Sequence, residues 1–293
     1  MYELRTAGEN SYYIQSPAKI GIIKLDSNSV CLIDSGSDKD AGRKVKQILE
    51  ENNWSLTAIY NTHSHADHVG GNQYLQNKFN CKVYAPDIEC DFINHTFLEP
   101  AFLYGGFAPK DLKHKFLLAK ESRALKLTEN DLPDGISIIS LPGHFFNMVG
   151  YKTYDDVIYL ADCLSSEETL EKYQISFIYD VAEYINTLNM VKNLSAKLFV
   201  PAHAEPTDNI KSLAQINIDK VFEIAEKIIS LCKCPSTFEK LLQSLFNHYG
   251  LNMNFEQYAL VGSTVRSYLS WLKDIGQLNI IFYNSELLWT SKL

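Results

Sequence analysis

The chain has 293 residues, a formal net charge of −8 and a hydrophobic fraction of 46%. That size suits one large domain, or a large one and a small one, and the composition is that of an ordinary globular protein rather than a disordered or fibrous one. No apolar run approaches the roughly 18 residues of a spanning helix, and Met1-Tyr2-Glu3-Leu4-Arg5 is no basic-then-apolar leader. No membrane partner and a cytoplasmic location are therefore expected. The cysteines at 31, 81, 90, 163, 232 and 234 are scattered, and Cys232-Lys233-Cys234 is too tight and too solitary for a standard zinc site. All six are read as reduced thiols. Residues 209–293 hold eight Lys/Arg and seven Asp/Glu, so the acidity sits in the rest of the chain. An acidic domain repels a phosphate backbone at long range, so nucleic acid is not the expected partner.

In chain order, β-like runs at 11–14, 20–25 and 30–34 come first, and Ser35-Gly36-Ser37 breaks the last. A helix is predicted over about 40–52, with Val45, Ile48 and Leu49 on one side. A buried strand at 56–61 then leads into Thr62-His63-Ser64-His65-Ala66-Asp67-His68-Val69-Gly70, followed by a helix at 69–79 and a strand at 81–85. Three of the chain's eight histidines fall within these six positions, 63 to 68, together with an aspartate. Ligands on a strand-to-helix turn converge above a sheet edge, and imidazole with carboxylate suits zinc, manganese or iron.

Residues 87–123 occupy a place where a short connection would suffice. Their aromatic residues and Gly105-Gly106 read as an inserted flap. Phe102, Tyr104 and Phe107 are candidates to hold an apolar acyl or aromatic group beside a metal centre. The competing reading is that they pack the insertion onto the domain or onto a second subunit. Strands are predicted near 124–127, 136–141, 149–153 and 157–161, a helix near 180–194 and a strand at 197–201. A second insertion, 164–180, brings Tyr173, Phe177 and Tyr179 as further pocket candidates. Strands followed by helices in both halves suggest two packed sheets with helices outside. After 208 come three helices, at 212–232, 236–248 and 255–275, and a hairpin at 278–290. The expected division is thus 1–208 and 209–293, the latter resembling a winged helix. Its third helix carries only Arg266 and Lys273 as basic groups, which favours a packing or dimerising role over DNA binding.

The His-x-His-x-Asp-His spacing of residues 63–68 resembles the signature of the metallo-β-lactamase-fold hydrolases. Pro142-Gly143-His144, Tyr159-Leu160-Ala161-Asp162 and Val200-Pro201-Ala202-His203 each end a strand-like run in the order that family uses, so the resemblance covers roughly residues 10–208. It implies an α/β, αββα sandwich and two divalent metal ions, zinc foremost with iron or manganese as alternatives. His63, His65 and His144 would hold one ion, Asp67, His68 and His203 the other, and Asp162 would bridge them. Asp67, His68 and Asp162 would then serve catalysis directly. A metal-bridging hydroxide would attack a small ester, thioester, lactone or amide, as in the glyoxalase-II-like and β-lactamase-like protein 2 group. Other members suggest a metal-dependent ribonuclease or phosphodiesterase, or a mono-iron sulfur dioxygenase. A DNA-binding regulator that senses a small molecule is a further alternative. Asp34 either supports the ligand turn, as an aspartate there does in the family, or simply initiates the Ser-Gly turn. Cys163 is read as small filler beside Asp162.

Overall fold

The computed structural model describes residues 2–292. The first half builds a seven-stranded sheet: β1 (Glu3–Thr6), β2 (Ser11–Gln15), β3 (Ile20–Lys24), β4 (Ser29–Ile33), β5 (Ser55–Tyr60), β6 (Lys82–Ala85) and β7 (Ala124–Lys126), side by side in that order. Strands β1 to β4 pair antiparallel and β4 to β7 parallel. The switch follows from the connections. Short turns join the first four, whereas helix α1 (Lys39–Glu51) crosses from β4 to β5, and α2 (Ala66–Val69) and α3 (Asn72–Phe79) cross from β5 to β6. Asp38 caps α1 by accepting from the amides of Asp40 and Ala41.

Between β6 and β7 lies the long insertion with α4 (Asp87–Asn94) and α5 (Leu98–Tyr104). The second sheet contains β8 (Ser137–Ser140), β9 (Val149–Lys152), β10 (Val157–Ser165) and β11 (Leu198–His203), with β8, β9 and β10 antiparallel and β11 parallel to β10. Between β10 and β11 run α6 (Glu167–Tyr173) and α7 (Val181–Val191). Helices α8 (Lys211–Leu231), α9 (Phe238–Tyr249) and α10 (Phe255–Asp274) follow, then a hairpin of β12 (Leu278–Tyr283) and β13 (Glu286–Ser291).

Period-two alternation explains the layers. Val30 and Leu32 of β4 face the α1 side with Val45 and Leu49, while Cys31 and Ile33 face inward. Those inward residues meet Val157, Tyr159 and Val200 from the second sheet, forming the core between the sheets. The opposite face of β10, Ile158 and Leu160, joins a third core with Leu188 of α7, Val221 of α8, Leu242 of α9 and Leu269 of α10. Helix, sheet, sheet and helix therefore stack in four layers. The C-terminal helices share this outer core with residues before position 208. Helix α10 is buried along Ala259, Val261, Val265, Tyr268, Leu269 and Leu272, so its apolar stripe serves packing. Among the described residues, no helix is long and apolar enough to cross a membrane.

The local expectations hold to within a few residues, with one correction. The helix placed at 69–79 is two pieces, because Gly70 and Gly71 interrupt it. At both glycines a Cβ would collide with the carbonyls of Ser37 and Ser35, so the ligand turn can press against the β4–α1 loop only without side chains there.

Candidate metal centre

Asp34 ends β4 in the left-handed region, at φ 63°, and this turns its carboxylate onto the β5–α2 loop. Its Oδ1 accepts from the Thr62 amide at 2.8 Å, and its Oδ2 from the Thr62 hydroxyl at 2.7 Å. Oδ2 also accepts from His68 Nδ1 at 2.7 Å. With Nδ1 committed to Asp34, Nε2 is the nitrogen His68 can turn to a cation, which would displace the proton that the neighbouring carboxylates otherwise favour there. The same device recurs at His203, whose Nδ1 donates to the Pro17 carbonyl at 3.0 Å.

Two donor groups result. His63 Nε2 and His144 Nε2 each lie 3.1 Å from His65 Nδ1. Burial lowers the pKa of His63 and His144 and takes His65 down to about 3, so all three imidazoles are neutral and present lone pairs to one point. Three such nitrogens around a tetrahedral cation with ~2.05 Å bonds would be spaced by ~3.3 Å, close to what is seen. The second group is Asp67, His68, Asp162 and His203. Here burial would lower both histidines, but the carboxylates outweigh it. Asp162 and Asp67 raise His203 to about 10, and Asp162, Asp67 and Asp34 raise His68 well above its ordinary value. Asp162 stands between the groups: its Oδ2 is 3.6 Å from His144 Nε2 and 3.2 Å from His203 Nε2, and its Oδ1 is 3.0 Å from His68 Nε2. His68 Nε2 and Asp162 Oδ1 are buried yet make no hydrogen bond. Unsatisfied buried polar atoms each cost about 1–3 kcal/mol, and a cation between them would remove that penalty. The donor set therefore fits two divalent cations.

The metallo-beta-lactamase superfamily pattern matches residues 9–203. The chain belongs to that superfamily. It is 26% identical to a hydroxyacylglutathione hydrolase from Pelagibacter ubique (strain HTCC1062) over 252 residues, covering 80% of this chain and 90% of that protein. It is 24% identical to a probable metallo-hydrolase of Bacillus subtilis (strain 168) over 196 residues, 66% of this chain and 83% of that one. In fold it resembles a beta-lactamase domain protein from Burkholderia ambifaria, with a TM-score of 0.73 at 14% identity, over 99% of this chain and 94% of that one. The chain is a metal-dependent hydrolase of this superfamily, and its C-terminal helices, which follow the matched residues, lie within the 99% of the chain that aligns with the Burkholderia ambifaria structure.

The superfamily turns are braced by residues that sequence reasoning missed. Glu89 of α4 is fully buried, and its Oε2 accepts from the Ser64 amide at 3.0 Å and the Ser64 hydroxyl at 2.7 Å. Its Oε1 accepts from the Asn147 amide at 2.9 Å, so one carboxyl ties the 63–68 turn to the loop bearing His144. Burial pushes Glu89 up to about 7, against the pull of those donors. Glu99 of α5 is also buried, with its Oε1 3.9 Å from His65 Nε2, and burial raises it well above the usual carboxylate range. An acid inside an apolar helical stretch is the only trace either leaves in the sequence. At Gly143, φ 113° and a backbone contact with Tyr184 both exclude a side chain, and this positions the His144 turn on α7.

Both groups open into one cavity of about 870 Å³. Of the aromatic residues expected to line it, Tyr173 and Phe177 do. The others are corrected. Phe102 packs among Phe92, Phe145 and Phe146, and Tyr179 stacks on Phe146 at 4.0 Å. Tyr104 meets Phe255 edge-on, and Phe107 is 90% exposed beneath Lys113. Composition placed these rings near the site but could not orient them. Phe116, which was not among the candidates, also lines the cavity. Cys163 is fully buried next to Asp162 and is absent from both donor groups.

Proposed function

We propose that this chain hydrolyses a small ester, thioester, lactone or amide at a centre of two divalent cations, zinc foremost with iron or manganese as alternatives. His63, His65 and His144 would hold one, and Asp67, His68 and His203 the other, with Asp162, which groups with the second set, reaching the first through the 3.6 Å approach of its Oδ2 to His144 Nε2. The observation that carries this is the shared carboxylate: Asp162 reaches into both donor groups at the floor of a single cavity. A bound cation pair supplies an activated water and polarises the carbonyl. The chain's own residues do the rest. Asp34 and the Pro17 carbonyl fix the tautomers of His68 and His203. Glu89 holds the two ligand turns in register, and Phe145 and Phe177 pack beside His65 to exclude bulk water. Asp67 and Asp162 are held ionised by the neighbouring histidines in spite of burial.

The charge of the cavity favours a carboxyl substrate over a phosphodiester. Apart from the donors, its walls carry Lys19 and Lys172 against Glu99, Glu168, Glu205 and Glu256, which is no basic track. The resemblance to hydroxyacylglutathione hydrolases brings thioesters into the class. The C-terminal part of the wall, Glu256, Gln257, Leu260, Val261 and Thr264, offers no cation to a glutathione carboxylate, so that leaving group is not singled out. A panel of activated esters, thioesters, lactones and phosphodiesters, run with the zinc-, iron- and manganese-loaded protein, tests the reading. Hydrolysis of carboxyl substrates is expected. Turnover confined to phosphodiesters, or dioxygen consumption with the iron form, would overturn it.

A further inference from the structure

The cavity lining is of two kinds. One is polar, with Ser165, Ser166, Thr169, Lys19 and Lys172. The other is apolar: Leu103, Phe116, Leu117, Phe177, Leu260 and Val261. The apolar lining starts at the donor residues, since the Phe177 ring lies 5.2 Å from that of His65 and 5.7 Å from that of His144. It is backed by packed residues, since Phe177 and Leu260 pack against a cluster of Leu103, Ala108, Leu112, Leu117 and Ala259. Three segments distant in sequence build it: the 87–123 insertion, the loop before α7, and α10. Two contacts hold them together. The Ile178 amide donates to Thr264 Oγ1 at 3.4 Å, and His114 Nε2 lies 3.5 Å from Glu256 Oε2. Phe116, Phe177 and Leu260 are not buried, and an apolar ligand would cover the surface they leave exposed in this part of the cavity.

Building on the hydrolytic reading above, we propose that this arm is an acyl-chain subsite. Its ligand is an apolar acyl group, and α10, the third helix of the C-terminal extension, helps to set the chain length accepted. The polar lining then receives the leaving group. This gives the C-terminal helices a role in specificity as well as in packing.

The test uses the full-length, metal-loaded protein and p-nitrophenyl esters that share one leaving group, from acetate to decanoate. Each added methylene that enters the arm should raise kcat/KM by about fourfold until the arm is full. Leu260 is only partly buried, so it tolerates change better than its fully buried neighbours. Leu260→Trp should cut the octanoate-to-acetate ratio at least tenfold and move the optimum to shorter chains. Leu260→Ala should move it the other way. As a readout independent of turnover, 1-octanol should perturb the methyl resonances of Leu103, Leu117, Leu260 and Val261 in wild type but not in Leu260→Trp. Ester hydrolysis with a flat chain-length profile would overturn the subsite and leave the hydrolytic reading standing. Absence of all ester hydrolysis alongside octanol binding at those methyls would support the apolar arm and overturn the reaction. Octanol shifts confined to other methyls would overturn the subsite whatever the kinetics.

Discussion

The donor cluster and the cavity wall are built by opposite means. The donors come from the turn after β5, from within β10, from the end of β11 and from the loop after β8, and two of them are oriented by a named partner: Asp34 for His68, Pro17 for His203. The wall comes from three remote segments that meet only through tertiary packing, with Leu103 and Leu260 facing one cavity from α5 and α10. Chemistry is therefore encoded locally, in residue types at fixed spacing. Selectivity is encoded globally, in which helices lie against each other. Substitutions in the cluster should lower turnover of every substrate, whereas those in the wall should change ratios between substrates.

The largest break is expected at the shared carboxylate. Asp162→Ala removes a donor from both groups, and activity on all substrates should fall at least 100-fold with loss of bound metal, read by kinetics and elemental analysis on one sample. Substrate-selective loss there would erase the contrast. Next is Asp34→Ala, which touches no substrate but frees His68 Nδ1 and Thr62. Loss of a group that orients a ligand typically costs 10–100-fold in metal affinity, measurable by competition with a chromogenic chelator.

Glu89→Ala sharpens the comparison by probing the scaffold alone. It strips acceptors from the Ser64 and Asn147 amides, both part of a buried network, and should cost about 1–3 kcal/mol in denaturant unfolding of the chelated protein. The pH dependence has a definite sign. Glu89 titrates at about 7 when folded against an ordinary 4.5, so its contribution is fully present below about pH 4.5 and is lost as pH rises through about 7. The gap in unfolding midpoint between wild type and variant should narrow over that window. The smallest effect is expected at Cys163→Ala: the thiol is buried packing, pushed far from ionisation by desolvation. Metal content should be unchanged and stability lower by about 1 kcal/mol. Loss of activity with metal retained would make the thiol part of the chemistry.

The same contrast explains what could be read from sequence. His63, His65, Asp67 and His68 fall within one turn, so spacing alone marks a ligand cluster there, whereas His144, Asp162 and His203, each at the end of an apolar run, were pointed to by the family resemblance. The four-layer sandwich follows from strand alternation. Glu89 and Glu99 were invisible because a buried acid on an apolar helix has no spacing rule. Leu260 reaches the cavity across nearly two hundred residues from His65, and no local pattern reports that. Aromatic content pointed correctly to Tyr173 and Phe177, which line the cavity, but could not orient the other rings. Phe102 and Tyr179 turned into a stack with Phe146, and Phe107 turned out to solvent.

The central claim is that the two donor groups act together as one dinuclear centre, and metal counting tests it most directly. Protein purified without chelator and saturated with zinc should hold two ions per chain by elemental analysis, and Asp67→Ala should lower that to about one while leaving the histidine triad loaded. One ion per chain at saturation in the wild type, unchanged by Asp67→Ala, would contradict it.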